Sequence, residues 1–166
     1  MVWIVLTLHK ILVAIDRSTI GENVFREAVS LAKAVSAEMM LLHVLSPEES
    51  GYPQLLPPTS IVGGYTELTT IGVENFHQEW EAYANQCLEM LRSRTDEALA
   101  AGVPTQFHQA AGNPGRAICD FATTWNADTI VMGRRGLSEL SELFVGSVSN
   151  YVVHRAPCSV WIVRSS

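Results

Sequence analysis

Cysteine is scarce in this chain. Cys87, Cys119 and Cys158 are the only three in 166 residues, widely spaced and with no C-x-x-C pair. An odd count at such spacing argues against a disulfide framework and against a cysteine-rich zinc site. Free, mostly buried thiols in a reducing cytoplasm are the expectation. Positive charge is scarce too: 11 Lys and Arg stand against 17 Asp and Glu, for a net charge of -6. A phosphate backbone needs a basic face, and no run of Lys or Arg supplies one, so a nucleic-acid partner is not expected. Charged residues reach only 17% while hydrophobic ones reach 48%, with a mean hydropathy of +0.16. That balance suits one globular domain with a substantial core and not a disordered chain.

Long hydrophobic runs are missing as well. The apolar opening Met1–Leu8 is too short to span a bilayer. It has neither a basic leading region nor a small-residue cleavage site, so it does not read as a signal peptide. No membrane partner is expected. Residues 1–8 read as an arm suited to packing on a partner subunit, ahead of a single domain over 9–166.

Several catalytic signatures are absent. There is no G-x-x-x-x-G-K-[ST], no G-x-G-x-x-G after the first strand and no G-x-S-x-G. These absences argue against a P-loop enzyme, a dinucleotide-dependent dehydrogenase and a serine hydrolase of the elbow type. The histidines at 9, 43, 77, 108 and 154 form no pair at metal-ligand spacing, so no metal ligand is assigned. His43 lies inside a strand and reads as a packed or hydrogen-bonded core residue.

What is present is a regular alternation. Lys10–Ile15, Met39–Leu45, Thr105–Ala110, Thr129–Met132 and Ser159–Val163 are short apolar runs of the kind buried on both faces. Between them, helical spacing predicts helices over about Ile20–Ser36, with a Thr19-x-x-Glu22 capping box, and from Phe76 to near Gly102. A third helix is expected from Asn113-Pro114 to Trp125, and a fourth from Gly146 to Arg155. Ser46 to about Asn75 holds five prolines or glycines up to Pro58 and then Gly63-Gly64, and is expected to be a long loop or a lid. Strand and helix in turn give an α/β fold, an open, parallel, doubly wound sheet with helices on both faces.

In such a sheet, ligands sit beyond the carboxyl ends of the strands. Asp16 follows the first strand. The fourth is followed by Gly133-Arg134-Arg135-Gly136, then nine residues, then Gly146-Ser147, a G-x2-G-x9-G-[ST] pattern. Glycines allow close approach, turn N–H groups can converge on anionic oxygens, and the start of a helix at Gly146 favours phosphate. Ser147 and Ser149 add hydroxyls; Arg134 and Arg135 add positive charge. The plainer reading is ordinary turn glycines, a serine N-cap and surface arginines, and the residues alone leave both open.

The opening Lys10–Asp16, the strand Leu41-Leu42-His43-Val44, the turn Gly112-Asn113-Pro114 and the segment Val131–Leu137 through Gly146–Ser149 resemble the universal stress protein family. Ala156-Pro157-Cys158-Ser159-Val160 is similar to the same family, and the likeness covers nearly the whole chain from His9. The resemblance implies a five-stranded sheet of order 3-2-1-4-5, a Rossmann-like relative of the adenine nucleotide alpha hydrolases. Members that keep the glycine motif generally bind ATP, and this chain keeps it. Carried over by position, Ala14 and Ile15 line an adenine pocket. Asp16 contacts the ribose or adenine side, and Val44 offers backbone hydrogen bonds to adenine. Met132 and Gly133 approach the ribose, and Gly136, Gly146, Ser147, Val148 and Ser149 hold phosphates, with Arg134 and Arg135 beside them. Magnesium beside the phosphates is compatible with this, without a named protein ligand. The family also implies a homodimer through Val160, Trp161, Ile162 and Val163, which would cover an apolar edge.

The function expected is a cytoplasmic stress-response or signalling module whose state depends on ATP, ADP or AMP. The alternative is a slow ATPase, or a nucleotidyl or phosphotransferase, on the same cradle. Hydrolysis needs a base to orient water. No residue stands out as one, so no catalytic residue is assigned.

Overall fold

The structure is a computed structural model that describes residues 8–54, 65–134 and 146–164, with the backbone alone over 65–72. Nine elements follow in order: β1 (Lys10–Ala14), α1 (Thr19–Val35), β2 (Glu38–Leu45), α2 (Tyr65–Ala100), β3 (Thr105–Ala111), α3 (Pro114–Trp125), β4 (Thr129–Gly133), α4 (Ser147–Arg155) and β5 (Ser159–Val163). The strands form one parallel sheet of order β3-β2-β1-β4-β5. β1 is central, and the order reverses beside it, between β1 and β4.

Alternation along the strands divides the core in two. Ile11, Val13, Met39, Leu41 and Val131 point to the side covered by α1 and α2, where they meet Val24, Phe25, Ala28 and Leu91. Leu12, Met40, Leu42, Ile130 and Met132 point to the side covered by α3 and α4, where they meet Ile118, Ala122 and Val152. β1 is apolar from Ile11 to Ala14 because it is covered on both sides there.

Helix boundaries follow local chemistry, with two departures from expectation. Ser18, not Thr19, is the N-cap of α1: its Oγ accepts from Gly21 N at 3.2 Å. Thr19 is the first helical residue. Glu22 does not turn back to close a capping box but pairs with Arg26. The second departure is larger. α2 starts at Tyr65, eleven residues before Phe76. Its first turns lack an apolar stripe, contain Gly72 and expose Val73 at 59%. Propensity is poor there, yet adding a turn to an existing helix is far easier than nucleating one. The Ser46–Asn75 connection is therefore shorter than the sequence pattern suggests. Within it, residues 55–64 lie outside the described residues, as do residues 1–7 of the apolar arm.

The other termini follow the expected signals. Asn113 caps α3 by accepting from Arg116 N at 3.0 Å, with Pro114 as the first helical residue. Gly102, at φ +83, ends the α2 connection. Cys87 and Cys119 are buried, Cys158 is half-buried and all three are free. Burial pushes each thiol above its ordinary pKa. Among the described residues no helix is long and apolar enough to cross a membrane.

Candidate functional site

A cavity of about 430 Å³ opens beyond the carboxyl ends of β1, β2 and β4, where the strand order reverses. Ala14, Ile15, Asp16, Val44, Met132, Gly133, Gly146, Ser147, Val148 and Ser149 all line it. The structure thus brings together ten of the residues singled out from sequence, from four separate segments. Arg134 is not among the lining residues; its backbone N–H goes to Val163 O at 3.0 Å, extending the β4–β5 ladder. Arg135 and Gly136 lie outside the described residues.

Much of the lining is apolar, drawn from both faces of the sheet: Ile15 and Val24 on one, Ala14, Leu42, Ile118 and Met132 on the other. Close backbone approach shapes its mouth. A Cβ at Gly133 would lie 2.5 Å from Ile20 Cγ2, and one at Gly21 would lie 2.3 Å from Asp16 O. Only glycine lets α1 start this near β1 and β4. Asp16 sits in that tight corner, and its Oδ1 accepts from both the N–H and the hydroxyl of Ser18. The same serine caps α1, so the carboxylate is held by the turn that starts the helix.

A second part of the lining is the start of α4. Gly146 is its N-cap and makes no side-chain cap bond. Ser147 is the first helical residue, so it is not the N-cap serine that the plainer reading required. The first-turn N–H groups of an α-helix have no intrahelical acceptor and carry the positive end of the helix dipole. Ser149 is 2% exposed and donates its hydroxyl proton to Gly146 O at 3.0 Å. Its backbone N–H, more than its hydroxyl, is then the donor on offer.

The third part is a buried polar network that the sequence pattern did not reveal. His43 is 1% exposed, and its Nε2 lies 2.9 Å from Glu49 Oε2. Tyr83, from α2, donates its hydroxyl to the same oxygen. Arg17 N donates to Oε1 at 3.3 Å. Burial raises the pKa of Glu49, but the hydrogen bonds from His43 and Tyr83 outweigh it and hold the carboxyl below its ordinary range. Burial, with the Glu49 hydrogen bond and charge, pushes the Tyr83 phenol far up. His43 Nδ1 is buried with no partner among the described residues, so Nε2 carries the proton that Glu49 accepts. His43 is therefore the hydrogen-bonded core residue expected, although it also lines the cavity. Tyr83 was missed, although helical spacing could have found it: it is four residues before Cys87, on the same buried stripe. Glu49 carries no such signal, because its turn has no periodicity.

Ligand atoms of His43, Glu49 and Cys87 lie within 4.8 Å of one another. The Glu49 carboxylate is already occupied by three donors, and burial keeps the Cys87 thiol protonated. A metal-binding thiolate needs the opposite, so the cluster is better described as a hydrogen-bonded network.

Comparison with known proteins agrees with this architecture. The family model described as "Universal stress protein family" matches residues 7–164. The chain is 35% identical over 158 residues to universal stress protein Sll1388 of Synechocystis sp., covering 93% of this chain and 97% of that protein. Among solved structures, the universal stress protein UspA from Lactobacillus plantarum superposes with a TM-score of 0.67 at 26% identity, covering 95% of this chain and 98% of that one. A family protein from Arabidopsis thaliana, solved with AMP bound, superposes with a TM-score of 0.58 at 22% identity, covering 95% and 92%. With a parallel 3-2-1-4-5 sheet, a cavity at its reversal point and a family match over nearly its whole length, the chain belongs to the universal stress protein family.

Proposed function

We propose that the cavity binds an adenine nucleotide, ATP or its close relatives ADP and AMP, and that the protein acts as a nucleotide-responsive module and not as a fast enzyme. The observation that carries this reading is the meeting of two unlike sets of lining residues in one cavity. An apolar slot at Ala14, Ile15 and Met132 suits a flat base, and the uncapped start of α4 at Gly146–Ser149 suits phosphate. In this reading Val44 offers its backbone to the adenine edge, and Asp16, with Met132 and Gly133, approaches the ribose. Arg134, Arg135 and Gly136 belong to the phosphate side by sequence position, and magnesium accompanies the phosphates. The AMP-bound plant member shares the fold, which is support from the family and not from this chain.

Two of the three carboxylates lining the cavity are engaged in ways that favour binding over turnover. The three are Asp16, Glu48 and Glu49 among the described residues. Asp16 is engaged by the Ser18 turn, and Glu49 is buried among its donors. Neither is placed as a base for water attacking a terminal phosphate. Slow hydrolysis or group transfer remains the alternative, and turnover abolished by a glycine-loop substitution would establish it.

The domain is taken as residues 9–166, with 1–8 as an arm. Self-association through β5 belongs to the same proposal. β5 is a sheet edge with Trp161 46% exposed, and antiparallel pairing with a second copy would cover it.

The test is calorimetric titration of nucleotide-stripped protein with ATP, ADP and AMP, with and without magnesium. Wild type is expected to bind and the double variant Gly136→Val with Gly146→Val is expected not to. Failure of all three nucleotides to bind wild type would overturn the reading.

A further inference from the structure

Three segments distant in sequence meet on one carboxylate. Glu49 Oε1 accepts from Arg17 N in the β1–α1 turn, beside Asp16. Its Oε2 accepts from His43 in β2, beside Val44, and from Tyr83 in α2. Glu49 itself belongs to the turn after β2, where Glu49 N donates to Ser46 O at 3.0 Å and Tyr52 N to Glu49 O at 3.2 Å. The Arg17 guanidinium stands 5.8 Å from the Tyr83 ring centroid, and Tyr52 packs edge-on against the same ring at 5.6 Å. Glu49 and Tyr83 thus tie this turn to the β1–α1 turn, to β2 and to α2.

We infer that Glu49 is a positioning residue for the nucleoside end of the cavity, tying the β1–α1 turn and the end of β2 to each other and to α2. This rests on the nucleotide reading of the cavity. Glu49 acts through its neighbours. By holding Arg17 N it fixes the turn that carries Asp16, and by holding His43 it fixes the strand end that carries Val44. Both neighbours face the base and ribose in the proposed site, and neither faces the phosphate side. A fixed pair of turns binds a nucleoside without ordering itself first, which is preorganisation. A buried carboxylate with a well-placed donor on each side is suited to that role because its hydrogen bonds are charge-assisted and directional. The phosphate side at Gly146–Ser149 is built on other elements, with the Ser149 hydroxyl and Asn150 N both donating to Gly146 O within the first turn of α4.

The experiment separates the two ends of the ligand. Wild type, Glu49→Gln and Glu49→Ala are titrated with AMP and, separately, with inorganic tripolyphosphate. Amide hydrogen exchange is followed without ligand over residues 14–18 and 46–52, with α3 as an internal control for global unfolding. Loss of one well-formed hydrogen bond to the ligand corresponds to roughly tenfold in affinity. Glu49→Ala is expected to weaken AMP by at least about that factor while leaving tripolyphosphate unchanged. Both turns should exchange faster together, with α3 still protected. Glu49→Gln keeps the side-chain volume and an acceptor for Arg17 N and should fall between, whereas a packing role alone would leave it at the wild-type value. AMP affinity unchanged in both variants, or faster exchange in 46–52 with 14–18 still protected, overturns the inference. If wild type binds neither probe, the nucleotide reading fails by itself. The exchange arm then decides the coupling: joint deprotection of the two turns sustains it and independent behaviour overturns it.

Discussion

The two sides of the sheet are built on different physics. Under α3 and α4 the core is Leu12, Leu42, Ile118, Ile130, Met132 and Val152, and its only buried titratable groups among the described residues are thiols. Under α1 and α2 an equally apolar core gives way, at the carboxyl end of β2, to His43, Glu49 and Tyr83. The apolar side needs only volume and shape. The mixed side needs every donor and acceptor in place, because an unpaired polar group in a dry interior is expensive. Apolar packing holds the sheet together, and the polar network sits where the chain must present backbone and carboxylate to the cavity. Stability and site geometry are therefore separable by mutation.

The largest expected effect is on the apolar side. Ile130 is fully buried in the central part of the sheet, beside Leu12. Ile130→Ala removes three carbon atoms from a close-packed region and should cost about 2–5 kcal/mol, measured by urea unfolding. Nucleotide affinity at a temperature where the variant remains folded should hardly change. A loss below about 1 kcal/mol would mean that the neighbours collapse into the space, and the two sides would then differ less than their composition suggests.

A smaller effect, with a pH signature, belongs to the polar side. Glu49 titrates below its ordinary range in the folded protein, so its ionised form is favoured by folding. The stabilisation is complete above the unfolded carboxylate value of about 4.3 and is lost as pH falls through the lower folded value. The groups facing it are His43 from β2, Tyr83 and Cys87 from α2, and Arg17 from the β1–α1 turn. The difference in unfolding free energy between wild type and Glu49→Gln should therefore shrink as pH falls below about 4.3. Ile130→Ala should show the same deficit across that range. A wild-type advantage that grows on acidification would contradict the assignment of Glu49 as an ionised acceptor.

The apolar side was also the more legible one in the sequence. Runs such as Ile11–Val13 and Thr129–Met132 announce strands covered on both faces, and Asn113-Pro114 announces the start of α3. Gly133, Gly146 and Asp16 gave away the cavity because strand ends and glycines mark where a backbone must come close. Three things were harder to read. Ser18 outcompeted Thr19 as cap because its hydroxyl also serves Asp16, a contact invisible to a spacing rule. Residues 65–75 have weak helical character and extend α2 by propagation. Glu49 stands in a turn whose meaning depends on His43 and Tyr83, six and 34 residues away in sequence. Periodicity reports which residues are buried on an element. It carries no information about which polar group on another element will meet them.

The smallest effect makes the sharpest comparison, because it uses one kind of interaction on both sides of the sheet. Ser18 caps α1 and Asn113 caps α3, each accepting a backbone N–H three residues on. Either residue changed to Ala should cost about 1 kcal/mol of stability, read as similar shifts in the urea midpoint. Their effects on ligand binding should differ. Asn113 holds only its own helix by the hydrogen bonds described. Ser18 also gives its hydroxyl and its N–H to Asp16, and only the hydroxyl is lost in Ser18→Ala. Asp16 would then lose one of the bonds that orient it, so AMP affinity should fall severalfold in Ser18→Ala and stay at the wild-type value in Asn113→Ala. Equal stability loss with unequal affinity loss would place Asp16 in the site through its serine. Equal losses in both measurements would mean that nucleotide affinity simply follows the stability of the domain.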